Sequence, residues 1–258
     1  MPASTSKTAL IVLTHPDADA FTGHWAKASG KYLAEQGYEV LWSDLYGAGF
    51  DPVERPQNHP GYHSRPFDVL KAQEAASNAL GFAEDVTAEM AKLRAADLTI
   101  LHFPLWWFSP PAVLKGWCER VLANGAMHDA ERRFDQGDFR GKQVLFCVST
   151  GSSAAESQHN GKEGDSHMLL WPLAYTFRYL GFDVLQAELV HGVHGYHRDA
   201  RKSALEARLA QLLEDHADTI RDLPARARVA FNADTEFEDG QLKADAPQRS
   251  HFIRHSPD

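Results

Sequence analysis

Short apolar runs alternate with longer stretches of helical periodicity along most of this chain, and that alternation is its tightest constraint on fold. Strands joined by helices run parallel, and a parallel sheet needs helices over both faces. The first strand is expected over 8–14, followed by a helix with Phe21, Trp25, Ala28 and Tyr32 inward and Gly37 at its end. The second strand is expected over 38–45. A long excursion follows, 46–83, rich in Pro, Gly and His, with one helix over 67–80; connections of this length usually carry function or a subunit contact. Helical spacing resumes at Val86, Met90 and Leu93, and a third strand spans 97–103.

The next helix has Ser109 as a candidate N-cap, prolines in its first turn, and Val113, Leu114, Trp117, Cys118 and Val121 as its inward stripe. A strand over 142–150, a helix over 166–180 that Pro172 kinks or starts, a strand over 183–190 and a helix over 199–221 complete the pattern. Five strands with alternating helices fit an α/β doubly wound parallel sheet of flavodoxin-like order 2-1-3-4-5. Periodicity fades after Pro224. Residues 1–223 therefore read as one domain and 224–258 as a C-terminal tail, loosely packed or contacting a partner subunit.

Composition narrows the partners. Lys and Arg number 26 against 35 Asp and Glu, a net charge of −9, which argues against a nucleic-acid binder. Cys118 and Cys147 lie in apolar patterns and read as buried free thiols of a reducing compartment. The apolar stretch Ala9 to Leu13 is too short for a signal peptide, and no run approaches a membrane span. A cytoplasmic protein is the expectation.

In open α/β sheets, ligands bind beyond the carboxyl ends of the strands near the switch in strand order. The loops expected there are THPDADAFTG, FPLWWFSPP and STGSSAAESQHNGKEGD. The first ends at a helix N-terminus, with Asp19 and Thr22 as capping candidates, where free N–H groups favour an anion such as phosphate and His15 can join them. The second sets three aromatic residues between stiffening prolines. Two readings of it stay open: a wall for a flat ring, or a hydrophobic plug. No G-x-G-x-x-G follows a strand and no Walker A pattern occurs, so a dedicated dinucleotide cradle is not expected.

The segments ALIVLTHPDADAF, AADLTILHFPLWWFSPPAVLKGWCERV, STG, GDSHMLLWPLAYTFRYLGFDVL and DAR make the chain similar, over 8–221, to the NAD(P)H:quinone oxidoreductase family of DT-diaphorase-type flavoproteins. The second segment is the most specific. The resemblance implies a flavin, FAD before FMN, reduced by NAD(P)H and reoxidised by a quinone or other small aromatic acceptor in a homodimer. It implies that His15, Phe21, Thr22 and the Ala20 backbone hold the pyrophosphate. Pro104, Leu105, Trp106, Trp107 and Phe108 then line the isoalloxazine. Ser149, Thr150, Gly151 and Ser152 meet its pyrimidine edge, and Arg201 stands near the adenine half.

The chain departs from the family where the proton is handled. Ser152 stands where the family is richer in glycine, and Ser157 and Glu163 align with its tyrosine and histidine. An ionised Glu163 would oppose negative charge growing on the ring. A family tyrosine before RRFDQGDF is His128 here. The catalytic proton donor is thus left open, with His128, His159 and Glu163 as candidates. With one crevice for both substrates, ping-pong kinetics are expected. The alternative is a flavin-binding regulatory or accessory protein with little turnover. His191, His194 and His197 in HGVHGYH lack a nearby carboxylate, and no metal is expected there.

Overall fold

The computed structural model describes residues 7–255, so 1–6 of the expected domain and 256–258 of the tail lie outside the described residues. Strands β1 (Thr8–Leu13), β2 (Glu39–Asp44), β3 (Leu98–Pro104), β4 (Gln143–Thr150), β5 (Asp183–Val184) and β6 (Glu188–His191) form one parallel sheet. Its order is β2-β1-β3-β4-β5, with β6 also paired to β4. Every residue of β3 is buried, as expected of a central strand covered on both faces.

Helices α1 (Phe21–Glu35) and α6 (Asp199–Arg221) cover one face, where Trp25, Leu33 and Ile220 pack on Ala9, Ile11, Ile100 and Cys147. On the other face lie α3 (Glu84–Ala95), α4 (Ala112–Val121) and α5 (Ser166–Tyr179), whose Met90, Leu93, Trp117 and Phe177 meet Leu10, Val12, Leu101 and Phe146. Alternate residues of β1 go to opposite faces, the period that made the strand readable. Pro172 lies inside α5, neither starting it nor ending it. Among the described residues no helix is long and apolar enough to cross a membrane.

The excursion is fastened by its polar groups. Buried Arg120 donates to the Asp51 carbonyl at 2.6 Å and pairs with Asp85 at 3.2 Å. Gly116 of α4 lets this strap lie flat, because a Cβ there would come within 2.0 Å of the Pro52 carbonyl oxygen. The helix expected over 67–80 divides into α2 (Val69–Ala75), capped by the Asp68 carboxylate, and a π-helical turn, Ala76–Leu80.

The strand expected over 183–190 is also divided. Gln143 and Val144 pair with Asp183 and Val184, an offset of 40, whereas Cys147 pairs with Glu188, an offset of 41. One extra residue is therefore accommodated between β5 and β6 as a bulge. The tail returns there: Val229 N–H donates to the Val184 carbonyl and Gln186 N–H to the Ala227 carbonyl, both at 2.8 Å, around an antiparallel bridge from Leu185 to Arg228. Val229 and Phe231 pack on the core, and Phe252 stacks on Trp171 with ring centroids 4.4 Å apart. A short hairpin, β7 (Phe237–Glu238) with β8 (Gln241–Leu242), lies between them.

Candidate active site

The crevice is built where β3 and β4 end together. Pro104 pairs with Ser149, and Leu105 N–H donates to the Ser149 carbonyl at 2.7 Å, holding the aromatic loop against the STGS turn. Trp106 and Ser109 then exchange backbone hydrogen bonds of 2.9 and 3.1 Å around Trp107 and Phe108, whose φ angles are +50° and +61°. Two positive φ values in succession make a turn of type I′, which normally takes Asn-Gly. Each aromatic residue there costs on the order of 1 kcal/mol. Trp107 is 92 % exposed and Phe108 52 %, so neither recovers that cost by burial in this chain. Ser109 closes this turn rather than capping α4, whose N-cap is Pro111.

The α1 N-terminus lies alongside. Its N-cap is Ala20, with no side-chain cap and no acidic residue in the first turn. The expected caps are engaged elsewhere: Asp19 pairs with Lys27 at 3.2 Å, and Thr22 Oγ1 meets Ser149 Oγ at 3.2 Å. The first helical hydrogen bond runs from His24 N–H to the Ala20 carbonyl, leaving the Phe21, Thr22 and Gly23 N–H groups without acceptors among the described residues. A Cβ on Gly23 would stand 2.1 Å from the Ala18 carbonyl oxygen, so only glycine lets the loop close this tightly. His15 Nδ1 lies 2.8 Å from the Asp17 carbonyl, and its ring is 5.9 Å from that of Trp106.

A cavity of about 440 Å³ lies between the aromatic loop and the segment after β4, lined by Leu105, Trp107, Phe108, Ser152, Ser157 and Glu163 among others. A line of hydroxyls crosses its floor, with Thr150 Oγ1 2.9 Å from Ser152 Oγ and Ser152 Oγ 2.6 Å from Ser157 Oγ. Glu156, also in the wall, is held down to about 2 by the Ser153 N–H and hydroxyl and by Lys162, so it is a fixed anion. Beyond Phe108 lies a larger, mostly apolar cavity of about 890 Å³ between α2, α4 and α5.

The sequence-predicted residues divide accordingly. Leu105, Trp107, Phe108, Thr150, Gly151, Ser152 and Glu163 line the smaller cavity. Pro104, Ser149 and Thr22 are tied to it by strand pairing and the Thr22–Ser149 contact. His128 lines the larger cavity instead, edge-on to Tyr179 at 5.1 Å, and burial lowers its pKa. His159 and Arg201 are exposed. The rings of His194 and His197 stand 4.3 Å apart, but with His191 they form no convergent ligand group among the described residues. The buried hydrogen bonds linking Ser29 to His102 and His216 were not anticipated; no local pattern brings residues so distant in sequence together.

A crevice at the carboxyl ends of β3 and β4, beside the α1 N-terminus, in a 2-1-3-4-5 sheet is the arrangement of a flavodoxin-type protein. A family model described as "Flavodoxin-like fold" matches residues 7–215. NAD(P)H dehydrogenase [quinone] 1 of Rattus norvegicus is 37 % identical over 206 residues, 78 % of this chain and 74 % of its own. Ribosyldihydronicotinamide dehydrogenase [quinone] of Homo sapiens is 36 % identical over 204 residues, 78 % of this chain and 88 % of its own. A solved Klebsiella pneumoniae structure, presented as a candidate quinone reductase, superposes with a TM-score of 0.80 at 26 % identity, covering 93 % of this chain and 92 % of that one. The chain belongs to this flavodoxin-like family of quinone-type NAD(P)H dehydrogenases, and it is an oxidoreductase.

Proposed function

We propose that the chain is a flavin-dependent NAD(P)H:quinone oxidoreductase that binds FAD and works as a cytoplasmic homodimer with ping-pong kinetics. The observation that carries this reading is the strained aromatic turn held against the hydroxyl floor of one cavity. Strain of this kind persists where a ligand needs it. The Trp107 and Phe108 N–H groups have no acceptors among the described residues, so they are available to a ring's heteroatoms. The residues also fit the rest of a flavin. The uncapped Phe21, Thr22 and Gly23 N–H groups, closed in by the loop that only Gly23 admits, suit its phosphates.

A flavin bound there would supply the hydride chemistry between nicotinamide and acceptor. This chain's residues bind, orient and exclude water. Leu105, Trp107 and Phe108 supply an apolar wall, and Thr150, Ser152 and Ser157 supply hydroxyls that donate or accept as needed. Among the described residues no imidazole or phenol lines this cavity, and Ser157 Oγ stands at the wall where the family's tyrosine is missing. His128, lowered by burial, is neutral at pH 7 and faces the neighbouring cavity. Arg201, exposed in the first turn of α6, is free to meet an adenine moiety. A second copy would cover the exposed Trp107 and Phe108 and the larger apolar cavity.

The purified protein is expected to be yellow and to release FAD when denatured, identified by separation from FMN. A colourless protein that takes up neither would overturn the reading. Double-reciprocal plots should be parallel, whereas intersecting lines would exclude the ping-pong order.

A further inference from the structure

On the sheet face opposite α3 and α4, three ligand-type side chains converge in the core. Cys147 on β4 and Glu188 on β6 are direct neighbours in the parallel register, so both project to the same face. His216 comes down onto them from α6, where it and Ile220 are the buried residues. We propose that Cys147, Glu188 and His216 bind one zinc-class divalent ion, at a site separate from the crevice.

The distances suit it. One ligand atom from each residue lies within 4.8 Å of the other two. A tetrahedral zinc ion draws thiolate, imidazole and carboxylate atoms to roughly 3.5 Å from one another, given bonds of about 2.0 to 2.3 Å. Small rotations of the side chains close that gap.

The polar groups are incomplete without it. Glu188 Oε2 is buried without a hydrogen-bond partner and stands 3.3 Å from His216 Nδ1. That nitrogen's one lone pair accepts the Trp25 indole N–H at 3.2 Å, so a metal ion bound there would take the place of the indole as its partner. Cys147 adds a fully buried sulfur, a weak donor at best. A divalent cation would give Glu188 Oε2 and the Cys147 sulfur a partner, at the cost of the Trp25–His216 hydrogen bond. With a thiolate, a carboxylate and a neutral imidazole, the site carries no net charge, which avoids the cost of an unpaired buried ion.

The surroundings hold the ligands in place. His216 Nε2 lies 2.6 Å from Ser29 Oγ, which meets His102 Nε2 at 2.9 Å. Thr219 donates to Glu188 Oε1 at 3.3 Å. A ligating histidine is commonly oriented through its second ring nitrogen in this way. The mixed sulfur, nitrogen and oxygen set favours zinc over calcium or magnesium, which take oxygen ligands. Glu188 is part-exposed at the sheet edge and gives the ion a way in. On binding, the Cys147 S–H bond breaks, its proton leaves to solvent and a sulfur–metal bond forms. Nothing is oxidised or reduced.

The test uses the protein as purified, treated with chelator and then dialysed against zinc. One ion per chain is expected, with quenching or enhancement of tryptophan emission as the Trp25 indole loses its acceptor. Cys147→Ser and Glu188→Gln should each weaken binding at least tenfold, since even the partners of metal ligands contribute about 10- to 100-fold. A His194→Ala/His197→Ala variant should bind as wild type does. Cobalt should give a thiolate charge-transfer band in the difference spectrum, absent in Cys147→Ser. Uptake equal in wild type and both site variants, or lost with His194 and His197, overturns the proposal. Should Cys147→Ser fail to fold, Glu188→Gln and the cobalt band in wild type decide alone.

Discussion

Two carboxylates are sunk into opposite faces of the same sheet, and they are treated differently. Glu89, on the α3–α4 face, receives Ser43 Oγ at 2.8 Å and Lys92 Nζ at 2.7 Å on one oxygen and the Trp117 indole at 2.9 Å on the other. Glu188, on the α1–α6 face, has an indole nearby too, but Trp25 donates to His216 and leaves the carboxylate bare on one side. His102 Nδ1, a few ångströms away through Ser29, is also buried without a partner. Complete pairing within the chain marks a polar cluster that serves the fold. Incomplete pairing calls for an explanation, and for Glu188 the proposed ion supplies one.

The comparison breaks most readily at Glu89. Glu89→Ala strands the Trp117 indole and the Ser43 hydroxyl, and about 3 kcal/mol of stability should be lost in urea denaturation. A loss under about 1 kcal/mol would remove the contrast.

On the other face, His102 provides a pH test. Burial, with His216 adding to it, holds its pKa well below 6.5. The unfolded chain then binds the proton more readily, so the stability His102 contributes is present above about pH 6.5 and lost as pH falls below it. With chelator present, wild type should lose about 1.4 kcal/mol more than His102→Gln between pH 8 and pH 5.5. Equal slopes would mean that His102 is not held neutral.

The aromatic turn extends the same reasoning from polar atoms to backbone. Trp107→Gly should stabilise the chain by about 1 kcal/mol in thermal or urea unfolding, since glycine accepts a positive φ freely. Flavin retention on dialysis should fall in the same variant. Glu188→Gln, metal-free, should have the smallest effect, within about 0.5 kcal/mol of wild type, as a neutral amide replaces a carboxylate with one oxygen unpaired. A clear loss there would show that the carboxylate is already satisfied.

Much of this architecture was legible in the residues. Strands such as β1 and β3 announce themselves by apolar runs, and the crevice follows from strand order, so Trp107, Thr150 and Ser152 were placed together in advance. The bulge after Val184 was not legible, because DVLQAELV holds no Gly or Pro to mark one extra residue. Helix caps misled for a related reason. Asp19 and Ser109 are good caps by type, but the loops spend them on Lys27 and on closing the aromatic turn. The Ser29, His102 and His216 contacts join α1, β3 and α6, and only the completed fold brings them together.

The return of residues 227–229 along the bulged border strand has a consequence for how the molecule behaves in a crowd. Unpaired backbone at the rim of a sheet invites the same rim of another molecule to add on, the first step towards insoluble fibres. By using those groups on itself, the chain gives up one of its two sites for runaway stacking. A version shortened before Arg226 would be expected to fold and yet precipitate.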